Sequence, residues 1–266
     1  MLSTMAIFYL MVAIVLNIYQ ESLAQTFANA INKKLTSPIK ISQVSFSAIR
    51  YFPNVSVSLI GVRLQGADSV GGDLLALDKV SFTFRPYDLI RGKYSVRAVI
   101  LENGTLQLHQ DSQGKANFKI LKPNAFVKAD QSLQLDWSDV QVRFFYIKLI
   151  YQNLFSKTTL GFSFQKTFLS LKKKPQQKIT DIYLTGHFLI EELSFRRYTA
   201  HNTFFKNQKT QPTLHIKWDL QQHRFDIQAN SKLVVNECPL FLGGSLDLSN
   251  DQLLNLVVTA DHLDLI

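Results

Sequence analysis

The stretch Val55-Ser-Val-Ser-Leu-Ile-Gly-Val-Arg-Leu64 alternates apolar side chains with small or polar ones. Successive side chains of a β-strand point to opposite faces, so this period of two predicts a strand with one apolar face. The alternation slips by one residue at Ile60-Gly61, after which Val62 and Leu64 continue it. We therefore expect a one-sided strand with a local irregularity near its middle.

The same period of two recurs along most of the chain beyond Pro38. Prolines lie between these runs or at their ends, as expected for residues that cannot donate a ladder hydrogen bond. The runs are Ile39 and Ile41, Val44 and Phe46, Val80 with Phe82 and Phe84, Leu133 and Leu135, Val140 and Val142, Leu246 and Leu248, and Leu254 with Leu256 and Val258.

The dipeptide Asn103-Gly104 indicates a reversal of the chain. Asn-Gly suits a type I′ turn, because both central residues of that turn need positive φ. A two-residue loop would pair Leu101 with Leu106 and Val99 with Leu108, and all four side chains would then share one face. The sequence thus predicts a β-hairpin at this point.

The chain is predicted to be mainly β, with residues 38–266 forming one domain. No long helical pattern interrupts it, apart from turns near Tyr87–Ile90 and Glu191, so a parallel βαβ architecture is not expected. A long antiparallel sheet with one apolar face must curl, stack or close. An open curled groove with an apolar lining, a sandwich and a barrel all fit the period.

In the groove interpretation, some apolar side chains of neighbouring runs face acyl chains instead of a sealed core. Removing apolar surface from water is worth about 25 cal/mol per Å², whichever apolar partner covers it. The candidate lining residues are Leu59, Val80, Phe82, Phe84, Val99, Leu101, Leu106 and Leu108.

The N-terminal segment Leu2 to Tyr19 contains no charged residue and is long enough to span a bilayer as a helix. We expect residues 1–20 to be a transmembrane anchor; a signal peptide cleaved after Ser22-Leu23-Ala24 and a buried core helix are the alternatives. Residues 21–37 are predicted to form a short amphipathic helix, because apolar residues recur there at spacings of three and four.

The chain is basic, with 29 Lys and Arg residues against 20 Asp and Glu and a net charge of +9. No acidic residue occurs between Val140 and Thr180. Such a stretch fits a solvated basic face, attraction to an anionic membrane surface or, with less support, nucleic-acid binding. No recognition helix or zinc motif accompanies the charge, so no nucleic-acid partner is predicted.

No catalytic signature is present, and neither enzymatic activity nor a cofactor or metal is predicted. The six histidines lack metal-ligand spacing; His215 and His223 lie eight residues apart in probable strands. Asp136 and Asp139 flank a Trp-Ser pair and are interpreted as caps of a turn. The single cysteine, Cys238, cannot form an internal disulfide and is predicted to be a buried thiol.

Several segments together resemble the N-terminal region of the AsmA family, over roughly residues 1–123. The uncharged N-terminal stretch lies where the family has its membrane anchor. The matching segments are the run from Ile39 to Gly66 with its Phe52-Pro53-Asn54, the runs Leu74–Val80 and Asp88–Tyr94, the run Val99–Leu106, and the Asp111–Gly114 turn before Asn117-Phe118.

The resemblance implies an envelope protein of Gram-negative bacteria with a single pass through the inner membrane and its bulk in the periplasm. The family is similar to TamB and to chorein-type bridge proteins, which are built as a long apolar β-groove. It implies lipid partners, either phospholipid or lipopolysaccharide, and a role in lipid transport or outer-membrane biogenesis. An anchored scaffold for outer-membrane assembly proteins is the alternative. Because family members are longer, the β domain is expected to be truncated at its C-terminus.

Overall fold

The computed structural model describes residues 32, 35–67, 72–91, 94–120, 135–136, 139–174, 179–197, 200–247 and 254–260. Thirteen strands and one short helix occur in this part of the chain. The helix α1 (Pro86–Ile90) coincides with the predicted turn at Tyr87–Ile90, whereas the turn predicted near Glu191 is wrong because that residue lies within a strand. The strands are β1 (Ile39–Lys40), β2 (Gln43–Ser47), β3 (Val55–Gln65), β4 (Asp73–Phe84), β5 (Tyr94–Gln110), β6 (Leu135–Asp136), β7 (Asp139–Asn153), β8 (Thr158–Lys174), β9 (Ile179–Arg197), β10 (Ala200–Asp219), β11 (Arg224–Val235), β12 (Cys238–Asp247) and β13 (Leu254–Ala260).

The strands belong to one sheet that is not closed, in the order β1-β3-β4-β5-β7-β8-β9-β10-β11-β12-β13. The strand β2 also pairs with β3, and the two-residue β6 pairs with the start of β5. The prediction of a mainly β, mostly antiparallel fold is confirmed. Because this sheet is not closed, the barrel alternative does not describe these strands.

Two pairings are parallel, and both involve β5: the two-residue β6 pairs with its start, and β7 pairs with most of its length. β5 and β7 run side by side from Ala98 opposite Gln141 to Gln110 opposite Asn153. An antiparallel neighbour can follow after a tight turn, but a parallel one needs a crossover, here the segment 111–138. The expectation of an antiparallel sheet is therefore wrong for the β5–β6 and β5–β7 pairings.

The predicted hairpin at Asn103-Gly104 is also wrong. Both residues lie inside β5, which continues without reversal from Tyr94 to Gln110. Asn103 has a φ of 50°, so it does adopt the left-handed conformation that Asn tolerates. Gly104 serves a different need: a Cβ there would collide with the Ala76 carbonyl oxygen and with Leu77 on β4. The dipeptide marks a close approach of two strands instead of a turn.

A two-residue type I′ turn does occur between β11 and β12, at Asn236-Glu237. Both residues have positive φ, 45° and 71°, and Val235 pairs with Cys238 across the turn. The side chain of Asn236 fixes the turn against β10, because its Oδ1 accepts a hydrogen bond from the Lys209 amide at 3.0 Å.

A row of irregular residues crosses five neighbouring strands, and we call it the crease. It consists of Gly61, Asp78, Asn103, Tyr146 and Gln165, which lie between the paired positions of β3, β4, β5, β7 and β8. Three of the five strands have positive φ there, with 63° at position 61 in β3, 50° at position 103 in β5 and 56° at position 146 in β7. Each strand gains one residue in the same row, so the ladder stays in register while the side-chain alternation shifts.

The crease keeps apolar side chains on one face of the sheet, which we call the inner face. Leu59 and Val62 lie on either side of it in β3, and both belong to one buried apolar cluster; Leu77 and Val80 do the same in β4. The slip that the sequence shows at Ile60-Gly61 is thus one member of a row that extends to β8.

The predicted anchor, residues 1–20, lies outside the described residues, as do residues 21–31 and 33–34 of the predicted amphipathic helix. Where the chain is described, no helix has the length and apolar character needed to cross a membrane. The described chain begins beside the segment after β5, because the Thr36 amide donates to the Ile120 carbonyl at 2.7 Å.

Candidate functional site

The eight residues predicted to line a groove all lie on the inner face of β3, β4 and β5. The register places Leu59 opposite Val80, Phe82 opposite Val99, and Leu106 opposite Leu75. Their burial differs. Leu59, Val80, Phe82 and Phe84 are buried, Val99 and Leu101 are partly buried against them, and Leu106 and Leu108 are half-buried.

Leu59, Val80, Phe82 and Phe84 belong to a packed core, against which Val99 and Leu101 pack. It also contains Ala48, Val55 and Val96, and it extends to Val140 and Ile147 on β7. Phe84 and Val55 are each only 1% exposed. Because these side chains are buried, the β3–β5 part of the inner face has little apolar surface that a ligand could contact.

The inner face continues across β8 to β12, and most of its apolar side chains there are half-buried, whereas Ile190, Pro212 and Val235 are buried. No other described element packs extensively on it, because the strands make their main contacts with their sheet neighbours. The pairing aligns these side chains in rows from strand to strand. The residues are Leu160, Phe162, Phe164, Leu169, Leu171, Ile182, Leu184, Phe188, Leu214, Ile216, Trp218, Phe225, Ile227, Leu233, Leu240, Leu242 and Leu246.

Four phenylalanines of β7, β8 and β9 form a cluster where this surface meets the core, beside the crease. The Phe144 and Phe164 rings lie 5.3 Å apart, and Phe188 lies 5.6 Å from Phe164 and 5.8 Å from Phe162. Such aromatic pairs add about 0.5–1.5 kcal/mol each beyond the area they bury. Phe144 and Phe164 also pack against the buried core, so this cluster joins the core to the half-buried surface.

A second aromatic pair lies near the other end of the strands. Trp218 of β10 and Phe225 of β11 stack with ring centroids 5.3 Å apart. Thr180 is opposite Trp218 in the neighbouring strand, and Lys173 is opposite Thr180. Lys173 is exposed and is the one charged residue in the rows that make up the described inner face of β8–β12.

Polar groups on the inner face are already hydrogen-bonded. Thr167 Oγ1 donates to the His187 carbonyl at 2.8 Å, and Thr210 Oγ1 donates to the Phe188 carbonyl at 2.6 Å. Both threonines are buried. They present methyl groups and carry no unmet hydrogen bond, so the chemistry of this surface is that of a hydrocarbon layer.

The opposite, outer face carries the charges. Arg143, Lys148, Lys166 and Lys172 of the acid-free stretch all lie at outer positions of β7 and β8. Glu191 forms the bulge of β9 that faces them: Lys148 Nζ lies 2.6 Å from its Oε2, and Ser163 Oγ donates to its Oε1 at 2.5 Å. The hydrogen bond from Lys148, followed by that from Ser163, lowers the pKa of the Glu191 carboxyl below its ordinary value.

The outer face also contains a buried carboxylate. Asp181, only 4% exposed, lies with its Oδ1 3.0 Å from His215 Nε2, and the Tyr183 ring stacks on the imidazole at 4.4 Å. This hydrogen bond engages the His215 imidazole with Asp181. No group of three metal-binding side chains occurs among the residues that the structure describes.

Two smaller expectations have different outcomes. Cys238, predicted to be buried, is half-buried at the start of β12. Asp136 and Asp139 belong to β6 and β7, and the pair Trp137-Ser138 between them lies outside the described residues. Asp139 is largely exposed, and its Oδ2 lies 3.8 Å from Arg97. The Asp139 carboxylate is therefore not part of the inner face.

The site defined by these observations in the described strands is a broad apolar sheet surface. No family model matches the chain, and no curated protein matches it in sequence. Its function must accordingly be argued from the surface itself.

Proposed function

We propose that this protein holds the acyl chains of membrane lipids against the inner face of β8–β12 and has no enzymatic activity. One observation carries the proposal: a half-buried apolar surface spans five neighbouring strands with a single charge at one end. A water-exposed surface of this size is costly in a soluble domain and is typical of a binding surface. A lipid tail is a ligand that needs no polar partner.

The dimensions of the strands suit such a ligand. β10 has 20 residues, which at about 3.3 Å per residue corresponds to about 65 Å. A surface of that length exceeds a single acyl chain and could bind several in succession. Each Å² of apolar surface removed from water contributes about 25 cal/mol, so extended contact outweighs the lack of hydrogen bonds.

The resemblance to the AsmA family supports the cellular setting of the proposal. In that setting, the uncharged N-terminal segment anchors the chain in the inner membrane and the sheet lies in the periplasm. The ligand would be phospholipid or lipopolysaccharide, and the function would be lipid transport between membranes or support of outer-membrane biogenesis.

A second candidate function is a scaffold for outer-membrane assembly proteins. The edge strand β13 favours it, because Leu256, Val257 and Val258 are 46%, 57% and 52% exposed there. An exposed edge with apolar side chains can accept a strand from a partner protein. The two candidates use different surfaces and can be separated by experiment.

The test compares two adjacent residues of β9 that lie on opposite faces. Leu184 is half-buried on the inner face, and Thr185 is exposed on the outer face. Leu184→Asp should fold, because its carboxylate can hydrate when no lipid is bound, but should lose most of the lipid that copurifies with the wild type. Thr185→Asp should keep it. Mass spectrometry of extracted lipid and thermal unfolding give the two readouts.

Equal lipid content in the two variants, or a lipid-free wild type, would refute the lipid proposal. Capture of an outer-membrane assembly protein that is lost on changing Val257 to Lys, with lipid content unaffected, would favour the scaffold instead.

A further inference from the structure

One end of the sheet carries exposed apolar side chains next to lysines. At the turn between β7 and β8, Leu154 is 53% exposed and Phe155 is 73% exposed. The turn that follows β5 lies beside it and adds Phe118, which is 38% exposed. We call these residues, together with Lys115, Lys119 and Lys157, the tip.

The two turns form one unit. The Leu154 amide donates to the Gln110 carbonyl at 2.9 Å, and Asn153 Nδ2 donates to Gln110 Oε1 at 2.7 Å. The Phe118 ring lies 6.5 Å from that of Tyr151. These contacts hold the apolar side chains at fixed positions, so they are presented together on one rigid end of the sheet.

The charges of the tip point to an anionic surface. Lys115, Lys119 and Lys157 are all exposed. The acidic residue of this turn, Asp111, has its Oδ1 occupied by the amides of Gln113 and Lys115, at 2.8 and 2.9 Å. Exposed apolar residues surrounded by lysines match the interface of an anionic bilayer, where rings and aliphatic chains enter the headgroup layer and lysines stay near phosphates.

The course of the chain agrees with this orientation. Thr36 is hydrogen-bonded to Ile120, directly after the tip residues Phe118 and Lys119. The described chain, which the uncharged stretch Leu2 to Tyr19 precedes in sequence, therefore has Thr36 at the same end of the sheet.

From these observations we infer that the tip docks on the anionic surface of the membrane in which the chain is anchored. The inference rests on the proposed function in one respect: it names the end of the inner face, next to Tyr151 and Leu160, at which lipid would enter or leave.

A fluorescent probe can test this on the full chain in vesicles. A polarity-sensitive label on Ser156→Cys leaves Leu154 and Phe155 unchanged, and Gln222→Cys places the same label on the exposed turn at the opposite end. The parent chain, labelled at Cys238 alone, supplies the background. The vesicles contain equimolar phosphatidylcholine and phosphatidylglycerol, with a lipid-borne quencher.

The Ser156 label should be quenched at least twofold more than the Gln222 label. Replacing Leu154 and Phe155 with Ser should remove that difference. Replacing the three lysines with Gln should reduce quenching to the level seen in phosphatidylcholine alone. All the substituted side chains are exposed, so the melting temperature should change little. If a variant does not fold, the inference is tested by the quenching of the Ser156 and Gln222 labels in chains with an unaltered tip.

Equal quenching at the two ends, or stronger quenching at Gln222, would overturn the inference. So would a Ser156 label that stays water-exposed in vesicles and is shielded only when a second protein binds. Copurified lipid on the inner face is measured without vesicles, so failure of the tip to dock is distinguishable from failure of the proposed function.

Discussion

Gly104 shows how a single residue can be required for a reason that its sequence context does not reveal. It lies in the middle of β5, where a side chain would meet the backbone of β4 at Ala76 and Leu77. Its φ is not in the left-handed region, so the constraint is space and not conformation.

Gly104→Ala should therefore destabilise the protein by about 1–3 kcal/mol, the usual cost of overpacking a filled site. Gly243 of β12 is the matched control, because a Cβ there meets nothing within 4 Å. Urea unfolding should show little loss, or a small gain, for Gly243→Ala. Equal losses in the two variants would contradict the close approach between β4 and β5.

Glu191 gives a prediction about pH. Its pKa is lowered in the folded state by hydrogen bonds from Lys148 and Ser163. A lowered folded pKa contributes stability that is present above the unfolded pKa and is lost as the pH falls through the folded pKa.

Glu191→Gln should thus be less stable than the wild type at neutral pH, by up to about 1 kcal/mol because the pair is partly exposed. The two proteins should converge in acid, where the wild-type carboxyl is protonated. Denaturant unfolding at several pH values measures the difference in unfolding free energy between the two proteins. A difference that grows as the pH falls would contradict a lowered pKa of Glu191.

At the scale of the elements, the crease depends on residues that accept positive φ. Tyr146 is a bulky residue with a φ of 56° and a side chain that is 71% exposed. A non-glycine residue with such a φ raises the free energy of the folded state by about 1 kcal/mol or more. The exposed Tyr146 ring makes few contacts that would offset this.

We expect Tyr146→Gly to stabilise the protein by up to about 1 kcal/mol. Gln152→Gly, at an exposed position of ordinary φ in the same strand, should destabilise it by about 0.5–1 kcal/mol. A higher melting temperature for Tyr146→Gly together with a lower one for Gln152→Gly would support the crease. Similar decreases in both variants would argue against it.

The strands could be predicted from the sequence, but the crease could not be distinguished from a turn. A two-residue hairpin and a one-residue slip both shift the phase of apolar alternation by one, so Leu101 and Leu106 fit either. Asn103-Gly104 favoured the turn because Asn and Gly tolerate positive φ, which both structures use. The difference lies in the neighbouring strands, where Tyr146 carries the same feature without any turn residue beside it.

The sequence predicted that the sheet has one apolar face, but not which part of that face is covered by other residues. The alternation identified eight inner-face residues of β3–β5, and the structure puts most of them in or against a core. Leu160, Phe162 and Phe164 show the same period, yet they lie on a part of the sheet that no described element covers extensively. Whether an apolar face is covered depends on packing between distant segments, which local periodicity does not contain.

At the scale of the whole molecule, the sheet divides into a packed β1–β5 part and a half-buried β8–β12 part. Truncating a side chain should therefore cost more in the first than in the second. Phe84→Ala should destabilise the protein by about 3–5 kcal/mol, as for other buried phenylalanines. Leu184→Ala should cost about 1 kcal/mol, since its side chain loses less burial. Chemical unfolding in parallel would test the division, and similar losses at both sites would contradict it.

The central claim is that acyl chains contact the inner face of β8–β12. A phospholipid with a diazirine in its acyl chain, irradiated with the purified full chain, tests it by mapping cross-linked residues with mass spectrometry. We predict cross-links at Leu184, Leu214 and Leu233 of the inner face. We predict none at Thr185, Thr213 and Lys232, which form a paired row on the outer face. Cross-links spread evenly over both faces, or confined to the outer row, would contradict it.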